Sequence, residues 1–584
     1  MNVNHQLLDT LNNLGQQGKP VQRLYARMLD EELFIASYVK LYANNGAMTT
    51  GSDPNDTIDG MSLHRIRRII ETLKNGRWRW KPSRRQYIPK GNGKTRPLSV
   101  PNWSDKLVQD VMRTVLEAYY EPQFCDESHG FRPQRGCHTA LQHVKRVWTG
   151  VNWFIEGDIE KCFDTIDHNK LLDIIGQRIR DFRFMKLLRT MLKAGYIEDW
   201  QQRPSLTGTP QGGVISPLLA NIFLHELDNY VLDKMKPNFD NGQSKRMNQS
   251  YRKLRDAALR ARKAGQYLKA KALCALRNKL PSRDPTDEGY RRLVYVRYAD
   301  DFMLGIIGSK REARAVKDKV GAFLQKMNLT LSETKTKITH ATKSRARFLG
   351  YDIHKHNGKH PHRRLSGRIQ LNVPKDKIAQ LMRRYTRHGK PMHRREMAHG
   401  SLPEIIRHFD SELRGYYNYY RLASDVSHRL NHLKFIMQCS LSRTIANKMK
   451  LTRAKVYKRY GIIGKVTGRK TLGVTVKTKS GEKVISFGDY SLRKQWTTPT
   501  NNDRDPYVPA LPYKELTQRL NATECKLCGK TDHKLEVHHI RRLKDIRRKV
   551  REGIAARWQE VMAYRNRKTL VVCYPCHQLI HAPC

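Results

Sequence analysis

The stretch "YVRYADDFMLG" (residues 295–305) sets two adjacent aspartates, Asp300 and Asp301, inside an otherwise apolar run. To the left "LVYVRY" alternates; to the right "FMLGII" is continuously apolar. Two short strands joined by a turn that carries the acids fit this pattern. A carboxylate pair in apolar surroundings is costly unless a cation sits against it. Upstream, "WFIEGDIEKCFDTIDH" (153–168) runs apolar until it delivers Asp158 at an expected strand end. Carboxylates on neighbouring strands are what in-line nucleotidyl transfer requires. It uses two Mg²⁺ about 4 Å apart, and Mg²⁺ favours hard oxygen ligands. A lone acid would read as a turn residue, but a pair inside a hydrophobic hairpin does not.

Bulk composition agrees. Lys and Arg total 110 against 54 acidic residues in 584, a formal net charge of +56. An excess on this scale favours a polyanionic partner, nucleic acid first. The length suggests about four domains at ~150 residues each. Ten cysteines are too sparse for a disulfide scaffold, and four of them fall in CxxC pairs, which fits a reducing cytosol. No apolar run reaches the ~18 residues of a membrane span, and "MNVNHQLLDT" lacks a signal-peptide layout.

Along the chain, residues 1–80 show helical spacing, as in "LHRIRRIIETL". The basic stretch 81–102, with Gly-Asn-Gly at its centre, predicts a hairpin, and a helix follows in "DKLVQDVMRTVLEAYY". Residues 245–283 are densely basic and expected to be helical, either a phosphate-facing insertion or a solvated face. Residues 368–460 read as several helices rich in Tyr and Arg. "GVTVKTKSGEKVISF" (473–487) predicts a further hairpin, and "TPTNNDRDPYVPALP" (498–512) a linker. In "TPQGGVISP" the two glycines allow a close backbone approach to a ligand, and Ser216 then Pro217 suit an N-cap and first helical position.

"YADD", "DIEKCFDTIDH", "TPQGGVISPLLANIFLHELD" (209–228), "SHGFRPQRGCHTAL" (128–141), "LSETKTKITH" (331–340) and "RFLGYDI" (347–353) occur in one order. In that order they resemble the reverse transcriptases encoded by group II introns, from about residue 55 to the C-terminus. The resemblance implies an α+β multidomain chain. Fingers and palm would span 1–355, an α-helical thumb or maturase domain 356–455, and a DNA-binding segment with linker 456–520. It implies that Asp158 and Asp300 hold both Mg²⁺, with Asp301 more peripheral. Phe163 resembles the steric gate against a ribonucleotide 2′-hydroxyl; spacing alone leaves it open between that role and a core side chain. Gln211 would lie beside the incoming nucleotide. Arg96, with Lys94 or Lys90, would grip the triphosphate, and Lys335 would sit near its β- and γ-phosphates. "LRGYYNYYRLASD" (413–425) matches thumb wording, and its interleaved Tyr and Arg suit RNA. Taken alone, Tyr416, Tyr417, Tyr419 and Tyr420 would be helix core.

"CKLC" (525–528) and "CYPC" (573–576) supply four thiolates, the ligand set of a structural zinc site. With "LEVHHIRRL" (535–543), "NRKTLVVC" (566–573) and "CHQLIH" (576–581), residues 521–584 look like an HNH endonuclease domain, a ββα-metal fold with a zinc knuckle. By that resemblance His539 is the general base, Asn566 steadies its loop, and His538 with His577 holds one Mg²⁺. His581 is a further candidate for metal or phosphate. Cys525, Cys528, Cys573 and Cys576 would bind Zn²⁺. A zinc-only structural module would leave the histidines and Asn566 unexplained. The implied partners are intron RNA in a lariat ribonucleoprotein, double-stranded target DNA and dNTPs, with no membrane. The expected location is the bacterial cytoplasm at the nucleoid, or an organelle. Two rival functions are a splicing maturase with little polymerase activity and a retron or defence-type reverse transcriptase.

Overall fold

The computed structural model describes residues 3–496 and 522–581, apart from 43–48, 59–60, 90–92, 94, 199–200, 204–207, 209–211, 285–286, 357–366, 398, 479–480, 523, 532–534, 541–542 and 565–568. The hairpin announced by "YVRYADDFMLG" forms as strands Arg292–Tyr298 and Asp301–Ile307. They lie within a five-stranded sheet ordered Ser128–His129, Arg292–Tyr298, Asp301–Ile307, Trp153–Asp158, Lys337–His340. Side chains alternate between the two faces of a strand, and here both faces are covered. Ile155, Tyr295, Phe302, Leu304 and Ile306 enter one core together with the helices Trp103–Tyr120, Ser216–Asn229 and Lys310–Lys326. Phe154, Val296, Met303 and Ile307 enter a second core, shared with Leu141 and Val144 of the helix Cys137–Val147 and with residues 346–492. Burial on both faces explains why the "FMLGII" strand is continuously apolar.

The N-terminal helices pack on Trp103–Tyr120, an 18-residue helix buried along most of its length. The hairpin expected at 81–102 is present as Ser83–Pro89 against Thr95–Val100, with Ile88 opposite Arg96. The basic stretch forms two helices packed on each other, Gln249–Lys263 and Tyr267–Lys279. Four helices follow at Lys375–Arg383, Leu402–Tyr420, Val426–Met449 and Arg453–Tyr460. The hairpin expected at 473–487 pairs Gly473 with Ser486 and Val476 with Lys483. A boundary between 455 and 456 falls inside the helix Arg453–Tyr460, whose Val456 is buried in the second core together with Leu472 and Ile485. Of the four tyrosines, Tyr417 and Tyr420 are buried, whereas Tyr419 donates through its hydroxyl to Leu349 O at 2.8 Å. The linker 498–512 lies outside the described residues.

The C-terminal module pairs strand Leu535–His539 with Thr569–Cys573 and ends in helix Tyr574–His581. Helices Leu543–Arg551 and Arg557–Tyr564 fill the interval between the strands, which accounts for the wide spacing of the two CxxC pairs. Among the described residues no helix is long and apolar enough to cross a membrane.

Candidate active sites

The turn that carries the acids contains Ala299 at φ 55°, a left-handed conformation unusual for a residue with a Cβ. Such a residue costs on the order of 1–3 kcal/mol and persists where its surroundings impose it. Here Arg297, fully buried and two residues earlier on the strand, does so. It donates to Ala299 O at 3.0 Å, to Asp228 Oδ1 and Oδ2 at 2.8 and 2.6 Å, to Asn221 Oδ1 at 3.0 Å and to Ser128 Oγ at 2.7 Å. Tyr295 donates to the same Asp228 at 2.8 Å. The Arg297 guanidinium holds Asp228 well below the usual carboxylate range despite burial that pushes the other way. Asn221 and Asp228 lie seven residues apart on one helix, two turns along one face. Gly130 closes the other side: a Cβ there would lie 2.9 Å from Ala299 N. None of this bracing was singled out from the sequence; its signal is an arginine in the apolar "LVYVRY".

The strand ladder places Asp158 directly across from Asp301, while Asp300 occupies the turn. Burial raises the Asp300 carboxyl, Asp158 adds to the rise, and Arg96 and Lys335 oppose it. Asp301 is pushed up to about 6, by burial first and then by Asp300 and Asp158. Lys335 donates to Asp158 Oδ2 at 2.8 Å. Five of the expected site residues therefore share one rim: three carboxylates with Lys335 and the exposed strand residue Arg96 facing them. Phe163 sits half-buried in the short helix Cys162–Thr165 that follows Asp158, with its ring edge-on to Phe131 at 6.2 Å. Lys94 and Gln211 lie outside the described residues.

Gly212, at φ 108°, lies close against protein backbone: a Cβ there would lie 2.5 Å from Ser99 O in the hairpin 83–100. One local expectation needs correcting. The cap of helix Ser216–Asn229 is Ile215, so Ser216 and Pro217 are already its first two residues. Leu219, Ile222 and Phe223 of this helix are buried.

In the C-terminal module two ligand clusters form from neighbouring elements. The sulfurs of Cys525, Cys528, Cys573 and Cys576 lie within 4.8 Å of one another. Burial disfavours the Cys525 thiolate, but the amides of Cys528, Cys573 and Leu527 point at its sulfur and bring it to about 6. Four converging sulfurs with amide support suit zinc. Separately, ring nitrogens of His538, His577 and His581 also lie within 4.8 Å of one another. His538 Nδ1 is 3.3 Å from His577 Nε2, and His581 Nε2 is 3.2 Å from the same atom. Burial first, then His577 and His581, lowers His538 to about 4, so its ring is neutral and free to ligate. Glu536 Oε2 accepts from His577 Nδ1 at 2.6 Å, which turns the Nε2 nitrogen toward the cluster. Glu536 was missed, although it shares a strand face with His538 at i and i+2. Three imidazoles form a softer donor set than the two-histidine Mg²⁺ site expected. His539 pairs through its backbone with Thr569, and Asn566 lies outside the described residues.

A carboxylate rim on a doubly covered sheet, followed by a histidine cluster on a ββα unit, defines a nucleic-acid polymerase joined to a metal-dependent nuclease. Comparison with known families agrees. Residues 88–353 match reverse transcriptase (RNA-dependent DNA polymerase), 366–500 match type II intron maturase, and 525–577 match the AI2M/AI1M-like HNH endonuclease. The chain is 40% identical to the group II intron-encoded protein LtrA of Lactococcus lactis subsp. cremoris, over 96% of each chain. It is 35% identical to an uncharacterized 91 kDa protein in the cob intron of Schizosaccharomyces pombe, over 95% of this chain and 69% of that protein. It is also 32% identical to a putative COX1/OXI3 intron 2 protein of Saccharomyces cerevisiae, over 100% of this chain and 67% of that protein. The chain belongs to the group II intron-encoded proteins, and is a reverse transcriptase with maturase and HNH endonuclease domains.

Proposed function

We propose that Asp158, Asp300 and Asp301 form the polymerase metal site of a right-hand reverse transcriptase, with fingers and palm over 1–355 and a thumb that begins at 356 and runs past the helix Arg453–Tyr460. The observation that carries this is the register of Asp158 opposite Asp301, with Asp300 in the braced turn beside them. Two Mg²⁺ bound there would activate the primer 3′-hydroxyl and neutralise the leaving pyrophosphate. Arg96 and Lys335 face the carboxylates and would orient the triphosphate, with Lys94 and Gln211 in the roles their motifs imply. Phe163 stands next to the strand that ends in Asp158, where its ring would exclude a ribonucleotide 2′-hydroxyl.

In the C-terminal module His538, His577 and His581 would hold a divalent cation, oriented by Glu536. His539 would take the proton from water, and Asn566 would steady its loop. The four cysteines would hold a structural zinc. The combined activity is nicking of target DNA, reverse transcription from the nick, and binding of intron RNA that aids its splicing. The test is Asp300→Ala. Primer extension should fall by about 10³-fold or more, equivalent to several kcal/mol of metal-dependent stabilisation, with intron RNA binding unchanged. Near-normal extension in Mg²⁺ would remove the assignment.

A further inference from the structure

We propose that Lys145 and Lys494, held over the indole of Trp496, form with Arg368 a phosphate-backbone site for intron RNA, apart from both catalytic centres. They line a cleft of about 1420 Å³. Lys145 Nζ and Lys494 Nζ each lie 4.1 Å from the centre of the Trp496 ring, held there by the negative face of the ring. The two half-buried ammoniums are also within hydrogen-bonding reach of one another, and Arg368 adds a third charge. Among the described residues no carboxylate lies within ion-pair distance of any of the three. The acids that line the far end are engaged elsewhere: Asp126 with Arg135 at 2.6 Å, Glu121 with Arg132 at 2.9 Å, and Glu127 facing His143.

Like charges crowded in a partly desolvated cleft repel, and an aromatic face offsets only part of that cost. Burial, then Lys494, then Arg368 depress the Lys145 ammonium to about 7. A bridging anion would relieve the repulsion and restore the proton. Phosphate oxygens meet that need, and a half-exposed indole beside them offers a stacking surface for an unpaired base. The position favours RNA over duplex DNA. Lys145 lies in the reverse transcriptase match, whereas Arg368, Lys494 and Trp496 lie in the maturase match. An RNA held by the maturase part would cross this seam. The inference rests on the intron-RNA-binding reading above and adds a specific site to it.

The test is lysine acylation followed by mass spectrometry on the full chain. It is run free, with a transcript of the chain's own intron, and with single-stranded or duplex DNA. Lys145 and Lys494 should be labelled readily in the free protein and protected by the RNA. In Lys145→Gln/Lys494→Gln the log–log salt dependence of RNA binding should flatten by about 1.5, the loss of roughly two phosphate contacts. Extension of a supplied primer–template should be unchanged. Protection of lysines elsewhere, with these two at their free rate, would overturn the site and leave RNA binding intact. Protection by DNA alone would overturn it as well. No protection anywhere and no RNA retained would remove the underlying reading too.

Discussion

The carboxylate rim and the histidine cluster are built on very different foundations. Beneath the rim, Arg297 and Asp228 form a fully buried pair tied to the strand Ser128–His129 and to the turn at Ala299, beside a core that runs from the N-terminal helices across the central sheet. Beneath the histidines lies a core of six buried residues among those described, and two of these, Cys525 and Cys573, belong to the four-sulfur cluster. A core that small seldom stabilises a domain without a metal or a cross-link. The polymerase site should therefore survive loss of its metals as a folded structure, whereas the nuclease module should depend on its zinc to fold.

The largest effect expected from that contrast is Cys525→Ser. Structural zinc sites contribute about 10–16 kcal/mol, so one lost thiolate should open residues 522–581 to limited proteolysis and abolish nicking. Primer extension should persist, and a protease-resistant module would contradict the contrast. Next in size is Asp228→Ala, which leaves the Arg297 charge buried without its partner at a cost of about 3–5 kcal/mol. Calorimetry should show the main unfolding transition lowered, with primer extension lost alongside. His539→Ala should remove nicking alone, with proteolysis and primer extension as in the wild type; nicking that persists would displace His539 as the base. Phe163→Ala should relax discrimination against ribonucleotides, read as the ratio of incorporation efficiencies. An unchanged ratio would make the ring a packing residue against Phe131.

The smallest effect is in pH. Asp301 is held protonated to about 6 by burial and by its two acidic neighbours. An acid whose folded value lies above its ordinary 3.8 binds more protons folded than unfolded between those two values. Its contribution to stability therefore falls as pH rises from about 4 to about 6 and is flat above. Metal binding requires the ionised form, so the Mg²⁺ concentration for half-maximal extension should drop as pH rises through about 6. Asp301→Asn should blunt that dependence.

The sequence disclosed what is local and periodic. The acid-bearing hairpin, the hairpin at 81–102 and the two CxxC pairs follow from alternation, turn residues and spacing. The bracing of the turn was not legible, because Arg297 joins residues from Ser128 to Asp228 and no short window contains them. A glycine signals that something comes close, and only the folded chain shows that Ser99 of the neighbouring hairpin is one such neighbour of Gly212. His581 and Glu536 were ambiguous or unnoticed until the strand and helix met.

The central sheet has a consequence for how such a chain can be inherited. Its strands send alternate residues into two cores, and the second is completed by residues 369–492, on the far side of the junction between the reverse transcriptase and maturase matches. A fragment ending at 355 would keep Leu141, Val144 and Trp148 against this face but would lose the cover that residues 369–492 give it. A gene that kept the polymerase and shed the maturase would have to rebuild that face or find a substitute cover, so the two parts are bound to descend together. The nuclease module has its own small core among the described residues beyond 520, and is the piece a lineage could drop or exchange.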